Sequence, residues 1–341
     1  MRDHGFHPVP VKRIVQETGD TRSFVLDVPP DLRGAFAYLP GQFCTFRVHL
    51  GDDEVLRCYS MSSAPETDDD LTVTVKRVPG GLVSNWLHDH VAEGDVLEVT
   101  RPAGVFCPRP DDRPVVAYCG GSGITPVMSI LRSTLAATDR RVRVLYANRD
   151  ERSVIFDHEL AALQAAHGDR LEVRHHLDSS GGYLDAAAVL DFAGTDLGGD
   201  HYICGPGPFM DLVEATLLGV GIEQDRIAIE RFVVADDLPP LEAAPAPSEP
   251  EEITLIIKGK RTTLPHRVGD TVLGTARRGG VVTPYSCEAG NCATCMALVL
   301  DGAVTMRANN ALTPEELDEG WVLTCQAEPT TASVTIEFEA M

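Results

Sequence analysis

Four cysteines near the C-terminus, Cys287, Cys292, Cys295 and Cys325, constrain this chain more than any other feature. Their spacing is C-x4-C-x2-C, then 29 intervening residues, then the last Cys. Three thiolates in one short loop and a fourth from a distant segment form the ligand pattern of a 2Fe–2S cluster. Gly290 supplies backbone freedom where the loop must curl, and the small Ala293 lets amides approach the sulfurs. Structural zinc usually takes two C-x2-C-like pairs, so this spacing suits it poorly. A one-electron carrier at one end directs attention upstream, to whatever loads it.

At 341 residues the chain is long enough for two or three domains, and 43% hydrophobic residues suffice for packed cores. A net charge of −22 makes nucleic acid an improbable partner. No apolar run reaches the length of a membrane span, and the first residues lack a signal-peptide core. The other cysteines, Cys44, Cys58, Cys107, Cys119 and Cys204, are scattered singly and read as small core residues in a reducing compartment. Expected, then, is a cytoplasmic monomer without nucleic-acid or membrane partners.

The rhythm of the chain divides it. Residues 1–110 carry short apolar or alternating runs separated by Pro29-Pro30, Pro40-Gly41 and Pro79-Gly80-Gly81, with helical character only at Val83–Val91. This predicts an antiparallel β-barrel. From 111 to 233, strand-like runs (Val115–Cys119, Val142–Tyr146, Leu171–His175, His201–Cys204) alternate with helical ones, which predicts a doubly wound α/β domain. Residues 234–251, rich in Pro, Ala and Glu, read as a linker. Such a segment extends to roughly 60 Å at most and averages about 25 Å as a coil. Residues 252–341 hold mixed strands and a short helical segment around the cysteine loop, which suits a β-grasp (α+β) domain.

Four further motifs carry chemistry. Arg57-Cys-Tyr59-Ser60 closes a barrel strand: Arg57 can clamp a pyrophosphate, Tyr59 offers a ring face for stacking, and Ser60 offers a hydroxyl for a hydrogen bond. Lys76 then leads into a glycine turn and helix start, where the amides of Gly81 to Ser84, Val83 included, and the Ser84 hydroxyl can meet phosphate oxygens. Cys119-Gly120-Gly121-Ser122-Gly123-Ile124-Thr125-Pro126 follows a strand and opens a helix, with Thr125 placed to cap it and Pro126 at the first helical position. Cys204-Gly205-Pro206-Gly207-Pro208-Phe209-Met210 ends the last parallel strand as a rigid turn.

Together these motifs resemble the ferredoxin–NADP reductase superfamily: its R-x-Y-S flavin signature, flavin-phosphate loop, G-G-S-G-I-T-P nicotinamide loop and C-G-P-x-P-F-M element. The domain order, ending in a plant-type ferredoxin, is similar to the reductase components of bacterial multicomponent oxygenases. The wording of Thr72–Arg77, Gly81–Leu87 and Tyr146–Phe156 is nearest to 3-ketosteroid 9α-hydroxylase reductases, with phenylacetyl-CoA epoxidase reductases close by. The resemblance implies FAD, NADH and the 2Fe–2S cluster as cofactors, and a Rieske-type terminal oxygenase as partner. It places Tyr59, Ser60 and Cys204 nearest the reacting rings. Arg57, Lys76, Gly81, Val83 and Ser84 would serve the flavin, and Gly121, Gly123, Thr125, Arg149, Gly205 and Pro206 the dinucleotide. Phe232, in Glu230-Arg231-Phe232, resembles an aromatic residue that approaches the flavin face.

Glu288 stands where the family usually carries Arg after its first cluster cysteine, and Ala293 where it often has Gly. A carboxylate beside the cluster should disfavour electron uptake and change the docking surface. Nucleotide choice stays open in the residues themselves: Arg149 or Arg152 suits a 2′-phosphate (NADPH), whereas Asp150 or Glu151 suits free ribose hydroxyls (NADH). Other readings are a reductase for a phenylacetyl-CoA epoxidase-like or ring-hydroxylating oxygenase, a stand-alone NAD(P)H flavin reductase, and a redox sensor.

Overall fold

The computed structural model describes residues 5–51, 53–194, 196–232, 251–285, 288, 290, 293–309, 311–312 and 314–338. The expected linker falls almost wholly outside them, as do Cys287 and Cys292.

Six strands form the first sheet: β1 (His7–Thr18), β2 (Thr21–Leu26), β3 (Phe43–Leu50), β4 (Asp53–Ser60), β5 (Leu71–Lys76) and β6 (Val96–Val99). Their order is β4-β3-β6-β1-β2-β5, all neighbours antiparallel. A bridge from Met61 to Val73 brings the two edges together, so the sheet curls into the expected barrel. Inward residues such as Val9, Val11, Phe24, Phe46 and Val73 make its core, which helix α1 (Leu82–His90) joins through Val83 and Leu87.

The second sheet is parallel, in the order β11-β10-β7-β8-β9. Its strands are β7 (Val115–Gly120), β8 (Val142–Asn148), β9 (Leu171–Leu177), β10 (Asp200–Cys204) and β11 (Ile227–Glu230). Side-chain alternation explains the double winding. Val115, Ala117 and Cys119 face helices α2 (Ile124–Ala137) and α3 (Asp157–His167), whereas Val116 and Tyr118 face the opposite layer. That layer follows a short α4 (Asp178–Gly181) and holds α5 (Ala186–Ala193) and α6 (Gly207–Gly219). β7 and β10 are adjacent but not consecutive, so a ligand crevice opens at their carboxyl ends.

The third sheet runs β13-β12-β18-β14-β16, with a separate β15-β17 pair. Its strands are β12 (Glu251–Ile257), β13 (Lys260–His266), β14 (Met296–Asp301), β15 (Val304–Met306), β16 (Trp321–Leu323), β17 (Ala327–Pro329) and β18 (Ser333–Phe338). The first and last strands, β12 and β18, pair in parallel as in a β-grasp. Helix α7 (Val272–Arg278) covers the sheet; Thr271 caps it by accepting from the Gly274 N–H, and Arg277 and Arg278 close it. The sequence pattern does not announce that helix; it points only to the segment found as α8 (Pro314–Asp318). Among the described residues no helix is long and apolar enough to cross a membrane.

Candidate redox site and its cofactor cradles

The parallel sheet sets two motifs side by side. In register, Cys119 on β7 lies opposite Cys204 on β10, so the turns that follow both strands meet. A β-carbon on Gly123 would lie 2.1 Å from the Cys204 carbonyl oxygen, and one on Gly205 would lie 2.9 Å from the Gly120 nitrogen. Only glycine permits so close a backbone approach. Gly120 similarly packs on the Pro206 ring. Gly121 is left-handed at φ +52°, and its carbonyl accepts from the Tyr146 hydroxyl at 3.1 Å. Tyr146 also accepts from the Ile155 N–H, so it braces the loop from beneath.

The helix after this loop begins earlier than expected. A 3-10 turn over Gly121–Gly123 winds straight into α2 at Ile124. Thr125 is therefore not the cap: its hydroxyl donates to the Ser122 carbonyl from inside the first turn. Pro126 is the third helical residue, still where no intrahelical N–H bond is lost. Burial first, and then Glu230 and Cys119, push the Cys204 thiol well above its ordinary range. Cys204 is thus a neutral, fully buried group beside the crevice.

On the barrel, Arg57 and Tyr59 share one face of β4, opposite Phe46 and Cys44, while Cys58 and Ser60 share the other, opposite Thr45 and Phe43. Tyr59 meets Phe46 edge-on at 5.4 Å, and burial raises its phenol well above the usual value. Ser60 is buried at the strand end. Helix α1 has no side-chain cap at Gly81. The Ser84 hydroxyl accepts from the Val78 N–H at 3.2 Å and keeps its own proton to donate. A helix N-terminus without a capping side chain, flanked by Lys76, fits an anionic phosphate.

The two cradles face each other. The Lys76 ammonium lies 3.9 Å from where a Gly121 β-carbon would stand. Asp20 joins them, 3.8 Å from Lys76 and 3.4 Å from Arg149, which follows β8. Burial opposes ionisation of Asp20, but the Thr18 hydroxyl, Lys76, the Thr21 hydroxyl and Arg149 outweigh it and hold its carboxyl below the ordinary value. Sequence reasoning missed Asp20, because a turn residue between two strands carries no sign of its distant partners. Asp150 caps the next turn by accepting from Ser153. Phe232 lies past β11 and is 44% exposed.

At the far end, Cys295 and Cys325 come together. The Thr324 hydroxyl and N–H both donate to the Cys295 carbonyl, at 2.9 and 3.1 Å. The Cys325 thiol is held below its usual range by the Cys295 thiol, against burial and with help from Gln326 and the Gly290 N–H. Gln326 donates to Cys325 Sγ at 3.6 Å and to the Glu288 carbonyl at 2.8 Å. Adjacent thiols with amides aimed at them, sheathed by Leu273, Leu312, Trp321 and Leu323, fit an iron–sulfur cluster. Glu288 and Ala293 both adopt positive φ, +49° and +54°. The Glu288 carboxylate pairs with Arg277 at 2.8 Å.

Three family models match in this order: an oxidoreductase FAD-binding domain over residues 8–107, an oxidoreductase NAD-binding domain over 118–215, and a 2Fe-2S iron-sulfur cluster binding domain over 255–330. The ferredoxin reductase component of 3-ketosteroid-9-alpha-monooxygenase from Rhodococcus rhodochrous is 42% identical over 96% of this chain and 95% of its own. The chain belongs to the oxygenase-reductase branch of the ferredoxin–NADP reductase superfamily. As a member of that family it is an NAD(P)H-dependent flavin and iron–sulfur oxidoreductase. A component of the 1,2-phenylacetyl-CoA epoxidase of Escherichia coli is 32% identical over 98% of both chains. Phthalate dioxygenase reductase shares the fold with a TM-score of 0.60, at 23% identity over 98% of each chain.

Proposed function

We propose that this reductase draws electrons from NADH and delivers them to a Rieske-type terminal oxygenase that hydroxylates a 3-ketosteroid. When bound, FAD and the cluster together convert a two-electron donor into a one-electron supply. The chain's own residues position and exclude rather than act as acids or bases. Gly121, Gly123, Thr125, Gly205 and Pro206 shape the crevice for the nicotinamide end, with neutral Cys204 at its side. Arg57, Lys76, Gly81, Val83 and Ser84 hold the flavin's phosphates, and Tyr59 and Ser60 meet its ring system. Cys287, Cys292, Cys295 and Cys325 would hold the iron. Phe232, just past β11, approaches the flavin face.

One observation carries this reading: the nicotinamide crevice and the flavin-phosphate turn face each other across Lys76 and Gly121, in a chain that also holds paired cluster cysteines. Engagement of Arg149 by Asp20 favours NADH, because the cation nearest the ribose end is already partnered. The domain limits would be 1–110, 111–233 and 252–341, within a cytoplasmic monomer. The test is reconstitution of the purified holoprotein with 3-ketosteroid oxygenase and, in parallel, with phenylacetyl-CoA epoxidase components. Steroid hydroxylation at the expense of NADH is the expected result. Turnover only with the epoxidase would move the chain to that second class, and reduction of free flavin alone would reject both.

A further inference from the structure

The β-grasp domain touches the barrel at Arg101 and at Thr45. The Arg101 guanidinium lies 3.2 Å from the Glu316 carboxylate, with side chains only 25% and 7% exposed. The Thr294 hydroxyl, one residue before Cys295, lies 3.4 Å from that of Thr45. Thr45 in turn lies 3.4 Å from the sulfur of Cys58, within the Arg57–Ser60 strand.

Each side of this seam is tied together internally. On the barrel, Thr45 donates its N–H to the Thr100 hydroxyl and accepts from the Thr100 N–H, so Arg101 and Thr45 sit on adjoining rungs. On the other side, α8 with Glu316 packs on β16, which runs directly into Cys325, and Thr324 ties Cys325 to Cys295. A contact at Glu316 therefore fixes where the cysteine pair stands relative to β4.

We propose, on the electron-transfer reading above, that Arg101 and Glu316 are a positioning pair that seats Thr294, next to Cys295, on the barrel at Thr45 beside Cys58. The pair thereby sets the rate at which electrons cross between the domains. NADH surrenders a hydride, two electrons with one proton. The electrons would cross this seam singly, the cluster passing each to the terminal acceptor before it takes the next, and the proton would leave to solvent. A largely buried ion pair costs much when one partner is removed and little when both are exchanged. It fixes geometry better than it adds stability.

The test uses the full-length holoprotein, R101E, E316R and the double charge swap, mixed rapidly and anaerobically with NADH. Flavin and cluster absorbance are followed separately. Amide hydrogen exchange of the same proteins at Thr45–Phe46 and Thr294–Met296 reports docking without reference to turnover. Each single variant should leave the hydride phase unchanged, slow cluster reduction by about tenfold or more, and lose protection at both segments. The swap should restore transfer to within about threefold of the parent. Single variants with parental rate and protection would overturn the proposal, as would a swap no better than either single change. If the parent reduces its flavin and never its cluster, the functional reading fails instead, which a seam defect cannot mimic.

Discussion

Gly123 and Cys204 are in backbone contact: a β-carbon on Gly123 would stand 2.1 Å from the Cys204 carbonyl oxygen and 2.4 Å from its carbon. The crevice proposed for the nicotinamide exists because two loops from adjacent parallel strands can close to this distance. Gly123→Ala must therefore push β7 and β10 apart at their carboxyl ends. The expected cost is about 1–3 kcal/mol of stability. NADH reduction of the flavin should be lost, with the cluster's visible absorbance retained. Unaltered NADH kinetics would show that the loops are not closed in solution.

Ala293 is held at φ +54°, where a β-carbon is strained. Ala293→Gly removes that strain and gives back part of it as unfolded-chain entropy. The holoprotein should gain about 1 kcal/mol or less, read from denaturant unfolding followed at the cluster's absorbance. A loss of stability would mean that the Ala293 methyl group, partly buried against the side chains around Cys295, contributes more packing than the strain removes.

Asp20 partners both Lys76 and Arg149, and its lowered pKa fixes the sign of a pH effect. Its stabilising ties are complete above the ordinary carboxylate range and are lost as pH falls through the lowered folded value. Asp20→Asn should flatten the acid limb of stability between roughly pH 5 and pH 3. It also frees Arg149 for a 2′-phosphate. The ratio of kcat/KM for NADPH over NADH should rise, by up to about fivefold. An unchanged ratio would remove Arg149 from the ribose site.

Arg277 pairs with Glu288, which follows Cys287, the first of the proposed cluster ligands, in the sequence. Arg277→Met leaves that carboxylate without its nearest cation, which should lower the cluster's midpoint potential. Glu288→Gln in the same background should return it towards the parent. Potentiometric titration of all three proteins at one pH decides this. Equal potentials would mean that the pair orients the loop without tuning the cluster.

Most of the domain architecture was legible because it rests on local pattern. Alternating runs give a barrel, alternating strands and helices give a parallel sheet, and the cysteine spacing marks the last domain. Helix starts were less so. Thr125 satisfied the rule for a cap, yet the 3-10 turn before it begins the helix sooner, and no local pattern distinguishes the two outcomes. Helix α7 escaped notice because its seven residues are too short to show periodicity.

The order and chemistry of the cofactor cradles were determined by the amino-acid sequence alone, since glycines, an R-x-Y-S strand and four spaced cysteines are near-neighbour signals. Only the tertiary structure decided which cradles meet. Asp20 with Lys76 and Arg149, Arg277 with Glu288, and Arg101 with Glu316 are contacts between segments distant along the chain. Charge pairing has no period and no fixed spacing, so folding must bring the partners together before their roles can be read.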